Sequence, residues 1–154
     1  MESKVTFREA EQEDVASLEI VRRQAIETGF TSVYDRSDFA ELVAEPLPEM
    51  NDWIEDDDVE FILAETEFTP ICFGAYDMEE SVILAFYTAE NYREEGHARR
   101  LYDYLETQAK QAGNEIITVE SPLNAQGFFE SLGFEEVERS EREGLEVVKM
   151  EKSL

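Results

Sequence analysis

Residues 87–113 read YTAENYREEGHARRLYDYLETQAKQAG, and they decide the fold: the end of a strand, a glycine turn, then an amphipathic helix. Ala98, Leu101, Tyr102, Leu105, Ala109 and Ala112 recur at helical spacing on one face. Gly113 stands where a left-handed residue would end that helix. The core of the turn is Arg93-x-x-Gly96-x-Ala98. A glycine at the mouth of a helix leaves backbone N–H groups unobstructed, and the helix dipole adds partial positive charge there. Those are the requirements for gripping a phosphate or pyrophosphate. The plainer alternative is an ordinary strand–helix junction. The spacing is neither the Gly-x-x-x-x-Gly-Lys-Ser/Thr loop of nucleoside triphosphate sites nor the Gly-x-Gly-x-x-Gly of dinucleotide sites, so any phosphate here is held in a third way.

Further along, Asn124–Glu138 read NAQGFFESLGFEEVE. Arg93-x-x-Gly96-x-Ala98 resembles the Q/R-x-x-G-x-G/A signature of the GNAT superfamily, N-acyltransferases that use acetyl-CoA or another acyl-CoA. The second segment is similar to that family's N-A-x-x-F-Y-E-x-x-G-F marker. The resemblance runs from the opening KVTFREAEQED to the closing VVKMEKSL, which look like the first and last strands of such proteins. It implies one α+β domain over residues 1–154 in α/β/α layers. The expected sheet is mixed and mostly antiparallel, with about six or seven strands and about four helices.

The rest of the chain agrees with that plan. Lys4–Arg8 alternate as an edge strand. A helix begins around Gln12–Asp14, with Val15, Leu18, Val21, Ala25 and Ile26 inward, and ends near Gly29. Tyr34–Ala44 is helical and is closed by Pro46 and Pro48; Glu49–Asp58 has the makings of a short helix around Trp53. Val59–Glu65 and Ile71–Asp77 flank the turn-like EFTP as a hairpin, and Ser81–Thr88 leads into the glycine turn. Glu115–Glu120 follows the long helix as a strand, Pro122–Leu132 is a short helix stopped by Gly133, and Phe134–Ser140 with Leu145–Met150 close the chain as a hairpin.

Composition narrows the function. At 154 residues and 42% hydrophobic content the chain can bury roughly 70% of its unfolded surface. No apolar run approaches the ~20 residues of a membrane span, and the start lacks the plan of a signal peptide, so a cytoplasmic protein is expected. The lone cysteine, Cys72, sits in the apolar ICFGAY and reads as a small buried hydrophobe. No metal site is expected. Thirty-eight acidic against thirteen basic residues give a formal charge of −25, and the acids are spread along the chain. That pattern reads as a solvated acidic shell of the halophilic kind, workable where molar salt shortens the Debye length to about 3 Å. It disfavours nucleic-acid and anionic-membrane partners. Against this background Arg93, Arg99, Arg100 and the only histidine, His97, cluster beside the glycine turn. They form either a basic island for a polyanionic coenzyme or a solvated helix face partnered by Glu94, Glu95 and Asp103.

Carried over residue by residue, the resemblance places acetyl-CoA, as co-substrate, on the backbone of Phe86 and Thr88 and on the turn Arg93, Glu94, Glu95, Gly96, His97, Ala98 and Arg99. A main-chain N–H there would also stabilise the oxyanion of acyl transfer. Asn124 either bonds the pantetheine or caps the short helix. Two positions depart from the family. Glu90 stands where proline is common, and Phe129 stands where a tyrosine commonly protonates the leaving thiolate. Tyr87, Tyr76 and Tyr34 are candidate substitutes for that acid or else strand and helix aromatics of the core, and Glu65, Asp77 and Glu120, near strand ends, are candidate bases. The expected function is transfer of acetyl from acetyl-CoA to a primary amine of a small molecule or peptide, by direct attack. The alternatives are a non-catalytic acyl-CoA-binding module and an acidic interaction domain without coenzyme. Phe30, Tyr34, Phe39 and Trp53 form either a substrate wall or core, and a homodimer is the family's habit.

Overall fold

A computed structural model describes residues 4–67, 69–89, 92 and 96–154. Its strands are β1 (Val5–Glu9), β2 (Val59–Thr66), β3 (Thr69–Asp77), β4 (Val82–Thr88), β5 (Ile116–Pro122), β6 (Glu135–Arg142) and β7 (Leu145–Ser153). They form one seven-stranded sheet in the order β1-β2-β3-β4-β5-β7-β6. Every neighbouring pair is antiparallel except β4 with β5, which run parallel. The helices are α1 (Val15–Phe30), α2 (Arg36–Ala44), α3 (Glu49–Glu55), α4 (His97–Gln111) and α5 (Gln126–Ser131). Five α-helices stand where about four were expected, because Glu49–Glu55 closes into a helix anchored by the fully buried Met50. The expected helix over Pro122–Leu132 is split: Pro122 ends β5, Leu123–Ala125 is a 3-10 turn, and α5 follows.

The central strands are the apolar runs FILA and ICFGAY, buried on both faces. Alternation sends Phe61, Leu63, Phe73 and Ala85 toward Leu18 and Val21 of α1 and Met50 of α3. The opposite set, Ile62, Ala64, Cys72 and Ile83, meets Leu101 and Leu105 of α4 and Phe129 of α5. Cys72 is fully buried, and burial pushes its thiol up to about 12, so it packs as the inert hydrophobe expected.

Gly74 sets how closely α4 can lie on the sheet. A Cβ there would come within 2.9 Å of Leu101 Cδ2 and 3.0 Å of the Phe86 ring. Gly74→Ala is therefore expected to destabilise the fold by about 1–3 kcal/mol. Thermal unfolding should show this as a Tm loss of about 3 °C per kcal/mol.

The edges are managed with charge. β6 reads EEVERSER and is exposed along its whole length. At the other edge Arg8 of β1 donates to both Asp14 oxygens at 2.8 and 2.9 Å and to Glu65 at 2.8 Å. The Arg8 guanidinium holds the Asp14 carboxyl below its usual range, although partial burial opposes the shift. A carboxyl depressed by folding stabilises above its unfolded pKa of about 4, and that contribution is lost as pH falls through the folded value. The melting midpoint should accordingly drop on acidification from about pH 5 to pH 3. Asp14→Asn, less stable at neutral pH, should flatten that decline.

Candidate active site

β4 and β5 pair only at Val82↔Thr118 and Ile83↔Val119 and then part. The other edge of β4 stays bonded to β3, where Ala89 N–H donates to Ile71 C=O at 2.8 Å. Successive peptide groups face opposite edges of a strand. The N–H and C=O groups of Phe86 and Thr88 therefore face the gap toward β5. A cavity of about 540 Å³ opens there, within the size range of small-molecule sites.

The N-terminus of α4 closes one end of it. Gly96 caps the helix at φ 84° and ψ 0°, a left-handed conformation that glycine adopts without strain. Among the described residues no side chain caps this helix, and its first turn carries no acid in a chain of formal charge −25. Gly96, Ala98 and Arg99 line the cavity, as does Tyr92, whose N–H donates to Ala89 C=O at 3.0 Å. Of the described residues in the expected basic island, only Arg99 lines the cavity. Arg100 turns instead to the Phe7 ring, 4.9 Å away, and His97 lies beside Tyr92 rather than in the cavity wall. Arg93, Glu94, Glu95 and Glu90 lie outside the described residues.

One wall is aromatic. The Phe86 ring lies tilted at 5.6 Å from Phe128, which meets Phe129 at 5.3 Å. Phe129 also packs on Phe134 and is only 3% exposed, so it lines the cavity without a proton to give. Asn124 lines the cavity too, and neither the 3-10 turn nor α5 has a side-chain cap. At the far end Ala25 and Phe30 of α1 and Tyr87 of β4 form the opposite wall. Phe39 is core, against Phe30, and the half-buried Trp53 packs on the core through Phe61.

The candidate bases do not meet there. Asp77 lies at the opposite end of the sheet, across from Val82, and its carboxylate accepts the Glu79 and Glu80 N–H groups. Glu65 is bound to Arg8 near the β1 edge, and Glu120 pairs with Arg142. None of the three lines the cavity. Among the tyrosines, the Tyr76 hydroxyl donates to Asn114 at 2.5 Å in the core. Tyr34 donates to Glu146 C=O at 2.6 Å and accepts from Leu123 N–H at 2.9 Å. Tyr87 alone of the three lines the cavity. Burial raises its hydroxyl pKa above the ordinary value, opposed by the Arg22 guanidinium beside it and reinforced by Glu19 and Glu143.

Residues 27–154 match the family described as an acetyltransferase (GNAT) domain. The chain belongs to the GNAT acetyltransferases. Comparison with curated protein sequences gives no match. Among solved structures it is similar to a GCN5-related N-acetyltransferase from Rhodopseudomonas palustris, at 23% identity and TM-score 0.85, over 100% of this chain and 99% of that one. It is also similar to the PaiA N-acetyltransferase of Thermoplasma acidophilum in complex with coenzyme A, at 18% identity and TM-score 0.82, over 98% and 99%. The yncA structure from Salmonella typhimurium with its cofactor acetyl-CoA aligns at 16% identity and TM-score 0.71, over 99% and 95%.

Acetyl-CoA is the co-substrate of GNAT acetyltransferases. An added Cβ at Gly96 would meet nothing within 4 Å, so the space above the first turn of α4 is open to a phosphate. Of the aromatics read as substrate wall or core, Phe30 lines the cavity, while sequence reasoning missed Ala25 and Tyr92 as lining residues. Ala25 reaches the cavity from the far face of the sheet, which no local pattern announces.

Proposed function

We propose that this GNAT enzyme transfers acetyl from acetyl-CoA to a primary amine of a small molecule or peptide, by direct attack without an acyl-enzyme. The observation that carries this is the junction of the β4–β5 gap with the open, glycine-capped start of α4. Phe86 and Thr88 would pair with the pantetheine through their backbone. Gly96, Ala98 and Arg99, with the turn Arg93–Glu95 and His97, would hold the phosphates, and Asn124 would bond the pantetheine. A β4 N–H facing the gap would stabilise the oxyanion.

Tyr87 takes the place of the missing tyrosine in this proposal. The amine nitrogen attacks the thioester carbon, and the C–S bond breaks as the tetrahedral intermediate collapses. The Tyr87 hydroxyl gives its proton to the departing thiolate. The resulting phenolate recovers a proton from the nitrogen that has become the amide, so no separate base is consumed. Phe129, which cannot donate, is the observation favouring a second reading, an acyl-CoA-binding module without turnover. Steady-state assays of free thiol release with a panel of primary amines separate the two. Amine-dependent release supports the transferase, whereas tight acetyl-CoA binding without release supports the module.

The acidic shell supports work at high salt. Among the described residues only Asp14 and Glu19 are buried carboxylates, so nearly all the negative charge faces solvent and repels itself in dilute buffer. The melting midpoint should rise on going from about 0.1 M to molar KCl, as the Debye length falls from about 10 Å to about 3 Å. A midpoint indifferent to salt would count against a halophilic protein.

A further inference from the structure

Two charged side chains lie buried in α1 where its inner stripe would ordinarily be apolar. Arg22 is 4% exposed and Glu19 is 7% exposed. Their contacts are loose: Arg22 Nη1 is 3.6 Å from Glu19 Oε2 and donates to Glu45 C=O at 3.3 Å. Glu19 Oε1 accepts Leu47 N–H at 3.1 Å, and Arg23 Nε stands 3.7 Å from Glu19 Oε2. Among the described residues, Arg22 Nε and Glu19 Oε2 have no hydrogen-bond partner. A pair held this loosely is poor value for stability, since apolar residues of similar volume often serve as well or better.

Its position suggests what the pair does instead. Ala25, one turn on from Arg22, lines the cavity, and so does Tyr87, whose ring packs on Phe73 beneath α1. Tyr87 packs against the core clusters to which Leu18, Val21 and Ile26 of α1 contribute, and Arg22, buried within that same stretch of the helix, is the cation that opposes the rise in the Tyr87 pKa. We infer that Arg22, oriented by Glu19 and the Glu45 carbonyl, is a positioning residue that fixes Tyr87 and stabilises its phenolate during acetyl transfer. This rests on Tyr87 being the proton donor proposed above. Before transfer the phenol is neutral and Arg22 has little to gain from it. Once the proton has gone to sulfur, an anion forms at the half-buried Tyr87 near a cation that is itself buried, where the attraction is stronger than in bulk water. The same two side chains tie Glu45 and Leu47, between α2 and α3, to α1, so the hydroxyl is set against a fixed wall.

The test is a double-mutant cycle on turnover with a primary amine that the wild type accepts. Arg22→Met alone strands a buried carboxylate and threatens folding. The neutral pair Glu19→Gln/Arg22→Met is therefore made beside it, with each melting midpoint recorded, and Arg22→Lys restores the charge. Loss of Arg22 is expected to lower kcat by about tenfold or more, a share of the ~10²–10⁴-fold a general acid contributes. KM for acetyl-CoA should stay unchanged, and Arg22→Lys should recover part of the rate. In a Tyr87→Phe background the same substitutions should cost nothing further. An equal loss of kcat in both backgrounds would overturn the inference and make the pair structural. Full turnover by Tyr87→Phe itself would instead sink the role of Tyr87, a separate failure read from a different variant.

Discussion

Gly96→Trp is expected to fold and to lose acetyl-CoA affinity by about 100-fold or more, equivalent to roughly 2.7 kcal/mol. Titration calorimetry in molar KCl would measure it. Two effects are involved, and they can be separated. At φ 84° any residue with a Cβ is strained, by about 1–2 kcal/mol. Yet an added Cβ has no neighbour within 4 Å, so the protein itself does not object to bulk at this point. What the indole would occupy is the open space over the N–H groups of the first turn of α4, where a phosphate would sit. Gly96→Ala carries the strain with almost none of the bulk. It should lower the melting midpoint while retaining most of the binding. If Gly96→Trp binds as the wild type does, the start of α4 is not the phosphate site. If the alanine variant loses binding as fully, strain and not occlusion governs the turn.

The elements around that turn were legible because their signals are local. The stripe Leu101, Tyr102, Leu105 and Ala109 is buried as its spacing required. The runs FILA and ICFGAY became central strands because no polar residue interrupts them. The gap in the sheet was different in kind. Nothing in Leu84–Thr88 says that pairing with β5 stops after Ile83; only the coenzyme contact that the resemblance gives the backbone of Phe86 and Thr88 implies an open edge there.

Charged residues were the least legible. Glu65, Asp77 and Glu120 stand near strand ends, and strand ends line clefts, but a sheet has two ends and many partners. Asp77 fell at the wrong end, and the other two found arginines. Arg22 shows the converse error. It falls one turn from Leu18 and from Ala25, inside the inward stripe, yet a charge there reads as solvated unless a buried partner is known. Glu19, three residues earlier, was the available signal. Arg99 and Arg100 are adjacent, but helical geometry turns them roughly 100° apart; only Arg99 reaches the cavity, while Arg100 covers Phe7.

Tyr87→Phe is expected to lower kcat by about 10²–10³-fold while leaving KM for acetyl-CoA unchanged, since general acids contribute on that scale. The substitution removes one oxygen and keeps the ring that packs on Phe73 at 5.6 Å, so binding and folding should survive it. The phenol keeps its proton at neutral pH as any tyrosine does, and burial raises its pKa further, with Arg22 acting the other way. That combination suits a group that must stay neutral until a thiolate appears and then tolerate a negative charge. A thiolate leaving a thioester does not strictly need an acid, so a modest effect would point to protonation by water. The wall opposite supplies the control. Phe129 lines the same cavity, and Phe129→Tyr places a phenol where the family commonly has one. In a Tyr87→Phe background, Phe129→Tyr should restore part of the lost turnover if the deficit is a missing proton at sulfur. If turnover stays low with acetyl-CoA still bound, Tyr87 serves the amine side of the reaction instead, orienting or deprotonating the nucleophile.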